Sequence, residues 1–463
     1  MTDDSFDVIV IGAGPAGEVA SGKLAERGKA VALVERELVG GECAYWACMP
    51  SKALLRPGEL LDEIERVPGV ADDASEQGID AAVALRRRDE VIHGLDDSSQ
   101  LPWLEQRGVT LLRGQARLVG ERRVEVVPAA GGAPRVLEAR DAVIVATGSG
   151  ALLPPIPGLA EAEPWTNREA TTADAVPDEL LVLGGGVVGV ELAQAWSSLG
   201  ARVTLIEAAD RLIAREEPFA SMQVAEGLQA RGVELRIGAR ASAVARDDAT
   251  GGTTVTLESG ETLTGDRLLV AIGRRVRTDG LGLEAVGLDP DKPIEVDDTL
   301  RVPGQPWLYA IGDVNGRAQL THMGKYQARV AVDAICGGGS LRVRRDGLQS
   351  PRAIFTDPGV AAVGHTLASA QEAGIAAHAI DRDTSANAGA SFHGRNAPGT
   401  TRFVLDTERE LLVGATFVGP DVAELLHAAT IAIVGEVPLA TLQHAIPAFP
   451  TRSELWLDLR VPD

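Results

Sequence analysis

One pattern occurs twice in this chain and limits its fold more than anything else does. Residues 6–11, FDVIVI, are apolar nearly throughout, as a parallel strand buried on both faces must be. GAGPAG follows and sets Gly12, Gly14 and Gly17 in G-x-G-x-x-G spacing. A helix-like stretch comes next, then a second apolar run, AVALVE, ending at Glu35. Such glycines let the backbone turn tightly and approach a pyrophosphate at a helix N-terminus. An acid about 20 residues on accepts hydrogen bonds from a ribose 2′-OH. The second copy is ELLVLGGGVVGVELAQAWSSLGARVTLIE, with Gly184, Gly186, Gly189 and Glu207. Two copies are no solenoid, which needs at least three short repeats. They predict two domains for two different dinucleotides. Glu207 repels a 2′-phosphate, which favours NADH over NADPH; Arg202 and Arg211 are the nearby cations that would argue the other way.

The rest of the chain fits around these two units. DAVIVATGS (141–149, with Thr147 and Gly148) and RLLVAIGRR (267–275, with Gly273) are apolar runs that end in a glycine turn. They bracket the second unit, as if the chain leaves the first domain and returns to it. LYAIGDVNG (308–316) is a third such run and carries Asp313; CGGGS (336–340) reads as a linker. From about residue 346 the segments RFVLD and LLVGATFVG alternate in strand fashion and DVAELLHAATIAIVG reads as a helix. The expected fold is α/β: two Rossmann-like dinucleotide-binding domains plus a C-terminal α+β domain that buries itself against a twin. The expected division is 1–155 with 275–345, 156–274, and 346–463. A length of 463 residues, about three typical domains, allows this.

Charge narrows the partners. The formal net charge of −22 repels phosphate backbones and anionic lipid surfaces, so neither nucleic acid nor membrane is expected. No apolar run approaches the roughly 18 residues of a membrane helix. The opening residues show no basic leader region. Three cysteines in so long a chain are not a secreted disulfide framework, and a cytoplasmic protein is expected.

Two of those cysteines, Cys43 and Cys48, lie in GGECAYWACMPSKALLRP. Zinc wants four ligands close in sequence or space; Cys336 is remote and the seven histidines are scattered, so no metal site is expected. A redox couple is the better reading. Positions i and i+5 of a regular helix lie roughly 8.5 Å apart, and a disulfide needs about 4.4–6.8 Å. A bridge therefore requires a distorted turn, and Pro50 is suited to start or kink a helix there.

The combination of two G-x-G-x-x-G units, C-x4-C-x-P-S-K, A-T-G, Y-A-I-G-D and a late P-T-x-S-E resembles the flavoprotein disulfide reductases, the dimeric family of dihydrolipoamide dehydrogenase and glutathione reductase. The resemblance implies FAD in the first domain, with Ala116 near the adenine, Asp313 on the ribitol, and Gln319, Leu320, Thr321 and His322 by the isoalloxazine. It implies nicotinamide in the second domain and a homodimer through the third. Cys48 is then the thiol that faces the flavin and Cys43 the one that attacks the acceptor. Lys52 belongs beside the flavin, paired with Glu191.

Two departures from the family pattern matter. Glu42 stands where a Thr is usual, and a carboxylate pointing at Cys43 would disfavour its thiolate. The residues after it, Tyr45 and Trp46, either line an acceptor site or simply pack. At the other end, QHAIPAFPTRSELW has Phe449 where the family places the His that shuttles protons to the cysteine pair, while Glu454, which orients that His, is kept. His444 is a possible substitute. An acceptor that needs no protonated thiol leaving group is therefore expected: a quinone, a metal ion, or an unusual thiol or 2-oxo substrate. The alternatives are a conventional lipoamide or small-disulfide reductase using His444 or water as acid, and a non-catalytic flavin-binding subunit or redox sensor.

Overall fold

The structure is a computed structural model and describes residues 4–460 except 70–77, 248, 250, 395, 396 and 398. By contacts the chain forms two compact units: Met1–Met49, Asp89–Gly150 and Arg274–Gly347 in one; Pro50–Arg88, Ala151–Gly273 and Leu348–Asp463 in the other.

The first unit is built on a six-stranded sheet. Strand Ser5–Ile11 lies at its centre, parallel to Val31–Glu35 on one side and to Arg135–Val145 on the other. Its alternate residues serve two cores: Ile9 and Ile11 face one, Val8 and Val10 the other. That is why the run is apolar at every position rather than at every second one. Leu308–Ala310 adds a parallel edge beside Arg135–Val145. The strands Thr110–Gly120, Arg123–Pro128 and Arg135–Val145 also form an antiparallel meander at their far ends. Two helices matter for the site. Pro15–Glu26 opens with proline in its first turn, where the missing N–H costs no helical bond. Thr321–Ile335 packs against it so closely that a Cβ on Gly324 would lie 3.2 Å from the Ala16 methyl.

The second unit contains a four-stranded parallel sheet in the order Arg267–Val270, Glu179–Leu183, Arg202–Glu207, Glu234–Ile237. Helix Val187–Ser198 covers it with a nearly continuous buried run from Gly189 to Trp196. A five-stranded antiparallel sheet follows, with Leu411–Gly419 inside it and helix Val422–Val434 packed on it. Helix Cys48–Arg66 contributes Leu54 and Leu55 to the core that holds Trp196. Its later turns are fixed by ion pairs, Asp62 to Arg231 and Arg66 to Asp357. Burial outweighs Arg231 at Asp62 and pushes that carboxyl up to about 6.

Candidate active site

The glycine turn of the first unit borders a cavity of about 340 Å³. Gly12 has φ +100°, and a Cβ there would lie 2.5 Å from the Ala146 carbonyl oxygen. Gly17 lets helix and strand meet: its Cβ would lie 1.9 Å from the Gly12 oxygen. At Gly14 the opposite holds, since a Cβ would meet nothing within 4 Å. The turn is therefore packed hard at two glycines and open at the middle one, the shape a pyrophosphate needs. Glu35 braces it, accepting from the Ala13 N–H at 2.6 Å and the Glu37 N–H at 2.7 Å. Of the expected cofactor residues, Gly12, Gly14, Glu35, Ala116, Thr147, Gly148, Asp313, Leu320 and Thr321 line the cavity, together with Cys43. Gln319, just before helix Thr321–Ile335, and His322, in its first turn, are exposed and lie outside that lining. Burial raises the Asp313 carboxyl, opposed by the Ser149 hydroxyl that donates to it at 2.5 Å.

Cys43 and Cys48 occupy two separate helices. Gly41–Tyr45 ends at Trp46, whose φ of −134° is not helical, and a new helix starts at Cys48. The turn between them supplies the distortion that the i, i+5 spacing requires. The hydrogen bond to Cys48, and then burial, hold the Cys43 thiol well above its ordinary range; Thr321 and Lys325 pull the other way. The Thr321 hydroxyl also lies 3.5 Å from the Cys48 sulphur. Glu18, on the helix after the glycine turn, is pushed up to about 7, chiefly by burial, with Lys325 opposing and Glu35 adding.

A penalty of Glu42 on the Cys43 thiolate is expected only of a carboxylate that points at the sulphur. The Glu42 carboxylate accepts from Arg277 at 3.1 Å and lies 3.9 Å from Arg274, so cations balance its charge. Tyr45 is buried, with its hydroxyl donating to the Val39 carbonyl at 3.1 Å, and its ring packs edge-on to half-buried Trp46. Tyr45 is thus a packing residue. Arg274, Arg277 and Ser149 were missed by sequence reasoning. The basic run RRVR directly after Gly273 was the available signal.

In the second unit Gly184 has φ +112°, and a Cβ on Gly189 would lie 1.8 Å from the Gly184 oxygen. Gly186 is open, with nothing within 4 Å of its Cβ position. Glu207 accepts from the Gly185 and Ala209 N–H groups at 2.5 and 2.6 Å. Arg211 donates to the Ala214 and Glu216 carbonyls, and Arg202 pairs with Glu179. Gly273, at φ +139°, follows the last strand of this sheet. Lys52 donates to Glu191 at 2.6 Å, and the other Glu191 oxygen accepts from the Phe355 N–H at 3.0 Å. The Phe355 ring lies 4.7 Å from the Lys52 ammonium.

Toward the C-terminus, Phe449 is 76% exposed, and His444 is also exposed. Glu454 keeps Oε2 buried and, among the described residues, without a hydrogen-bond partner.

Known sequences match most of the chain. Residues 6–328 match the pyridine nucleotide-disulphide oxidoreductase family, and residues 350–460 match its dimerisation domain. The chain belongs to that family. It is a flavoprotein oxidoreductase that uses FAD and NAD(H). The dihydrolipoyl dehydrogenase of Chlorobaculum tepidum is 33% identical over 97% of this chain and 95% of that one. A mercuric reductase of Lysinibacillus sphaericus is 29% identical over 98% of this chain and 82% of that one. Among solved structures, LpdA from Mycobacterium tuberculosis is similar with a TM-score of 0.85 at 28% identity, covering 96% of this chain and 97% of that one. The fold is also that of the flavoprotein disulfide reductase RclA from Escherichia coli, TM-score 0.85 at 24% identity over 98% of both chains. Membership removes the non-catalytic reading.

Proposed function

We propose that this oxidoreductase carries electrons from NADH to the Cys43–Cys48 pair and on to an acceptor that needs no protonated thiol leaving group, such as a quinone or a metal ion. The single observation that carries this reading is that Glu454 keeps a buried Oε2 with no hydrogen-bond partner among the described residues, while Phe449, at the position the resemblance gives to the His, is exposed. An orienting carboxylate is present, and the imidazole it would orient is replaced by a ring that holds no proton. Proton transfer from a placed side chain is worth roughly 10²–10⁴-fold, and Phe449 supplies none of it.

The cavity fits FAD: open at Gly14, packed at Gly12 and Gly17, and braced by Glu35. When bound, FAD supplies a two-electron relay between nicotinamide and the cysteine pair. The chain does the rest. Glu191 uses both oxygens to fix Lys52 and the Phe355 backbone, so the ammonium is held in one place. Glu207 leaves its remaining lone pairs for a ribose hydroxyl, and Arg202 and Arg211 are engaged elsewhere. By the resemblance Cys43 is the thiol that meets the acceptor and Cys48, whose sulphur lies 3.5 Å from the Thr321 hydroxyl, the one that faces the flavin, although of the two only Cys43 is among the residues lining the cavity. A quinone takes up two electrons and the two thiol protons as the disulfide re-forms. A mercuric ion takes both electrons, or two cupric ions take one each, and the two thiol protons pass to water. The mercuric reductase among the relatives makes metal ions a class to include.

Exposed Ile431, Ile446 and Phe449 lie in the segment that matches the dimerisation domain, which supports a homodimer. No helix among the described residues is long and apolar enough to cross a membrane, and a cytoplasmic location is proposed. The test is an NADH-driven comparison of a lipoamide-type disulfide, a quinone and a mercuric or cupric salt. The reading expects the disulfide to be the slowest by at least about 10²-fold. A disulfide that turns over as fast as the quinone would refute it and favour the conventional reductase.

A further inference from the structure

Glu42 poses a problem that the family fold does not explain. The residue before it, Gly41, lies against the glycine turn: a Cβ there would be 2.7 Å from the Gly14 Cα. Glu42 therefore enters the cavity close to the open cradle at Gly14 and lines it. A bare carboxylate beside a pyrophosphate dianion is repelled by it. Glu35, Glu37, Asp279 and Asp313 line the same cavity, with Arg36 and Arg277 as its cations.

Arg277 meets this carboxylate. Its Nη2 donates to Glu42 Oε2 at 3.1 Å, and the two side chains are 27% and 15% exposed. The Arg277 backbone is fixed at both ends. Its N–H donates to the Gly148 carbonyl at 2.9 Å, and its carbonyl accepts from the Thr147 hydroxyl at 2.7 Å. The side chain passes over Gly150, where a Cβ would lie 3.3 Å from Arg277 Nε. Arg274 stands behind it, 3.9 Å from the other Glu42 oxygen and bonded to Ser149 Oγ at 2.7 Å. Ser149 in turn donates to Asp313. Two cations and two carboxylates thus bridge the loop before Cys43 and the turn at Thr147–Gly150.

Resting on the reading that this cavity holds FAD, we propose that Glu42 and Arg277 form a charge-balanced clasp on the cofactor, in which Arg277 is the positioning residue that allows a carboxylate to stand beside the pyrophosphate. The clasp holds FAD because it is neutral. Removing one member of a partly buried pair leaves the other uncompensated, which costs far more than removing both.

The signs of three variants distinguish this from plain loss of structure. Arg277→Gln should weaken FAD binding by about 10-fold, since Glu42 then faces the dianion without the guanidinium that donates to it. Glu42→Gln should bind FAD at least as tightly as wild type, because Arg277 can turn to the phosphate. The double variant should return to within about 3-fold of wild type. The readout is FAD affinity, measured by titrating FAD into deflavinated protein and following the quench of flavin fluorescence, with thermal melts of the holoproteins as a fold control. Wild-type affinity in Arg277→Gln, or a double variant as weak as Arg277→Gln alone, overturns the clasp. Gly14→Val, which fills the open cradle, separates this from failure of the underlying reading. If Gly14→Val loses FAD while Arg277→Gln does not, only the clasp fails; if Gly14→Val keeps FAD, the assignment of the cavity fails.

Discussion

The two glycine turns are built to one plan and differ in what surrounds them. Gly12 and Gly184 share a positive φ, Gly17 and Gly189 take the same close contact with a carbonyl, and Glu35 and Glu207 each accept two backbone N–H groups. The open middle glycine is also common to both. What differs lies off the turn. In the first unit, Gly41 presses on Gly14 and brings Glu42 and Cys43 to the cavity. In the second, Leu212 and Glu207 close over Gly185. The residue after the last glycine is Glu18 in one and Val190, fully buried, in the other. One backbone device therefore serves two ligands, and neighbouring loops decide the chemistry.

The sharpest way to break this comparison is to block each turn. Gly17→Ala and Gly189→Ala both place a methyl under 2 Å from a carbonyl oxygen, a clash of roughly 1–3 kcal/mol or more. Gly17→Ala should be purified without flavin. Gly189→Ala should stay yellow and show a KM for NADH raised by at least about 10-fold. Loss of the same ligand from both would mean the turns are not distinct in function.

A smaller effect is expected at Glu207. Glu207→Ser removes a charged acceptor, worth about 1.5–3 kcal/mol, so the ratio of kcat/KM for NADH over NADPH should fall roughly 10- to 100-fold. An unchanged ratio would show that this carboxylate only braces the turn.

The smallest effect is the pH response of the first turn alone. Glu18 has a folded pKa of about 7 against an ordinary 4.5. The folded state thus binds the proton more tightly, and the stabilisation is present in full below pH 4.5 and lost as pH rises through 7. Glu18→Gln should flatten that decline by of order 1–3 kcal/mol in denaturant melts between pH 5 and 8. Parallel curves for variant and wild type would contradict it. No matching response is expected from Val190.

The sequence was readable where the backbone itself sets the residue. Gly12, Gly17, Gly184 and Gly189 are required by carbonyl contacts, and the Cys43–Cys48 spacing already demanded the break found at Trp46. It was not readable where a side chain's partner is far along the chain. Glu42 and Arg277 are 235 residues apart, so the sequence showed an acid beside a thiol and hid the cation that balances it. Tyr45 is buried by neighbours that the motif does not contain, and the exposure of Gln319 and His322 depends on where a helix begins. The meander of Thr110–Val145 carried no motif at all and shows only in the register of the sheet.

Phe449 is tested directly by one pair of rates. If Phe449 stands at the family's His position, as proposed, Phe449→His supplies the missing imidazole and should raise NADH-dependent disulfide reduction by about 10²-fold while leaving the quinone rate within about 2-fold. His444→Ala, measured alongside, should change neither. A wild type that already reduces the disulfide quickly, with no gain in Phe449→His and a collapse in His444→Ala, would contradict the account and make His444 the acid.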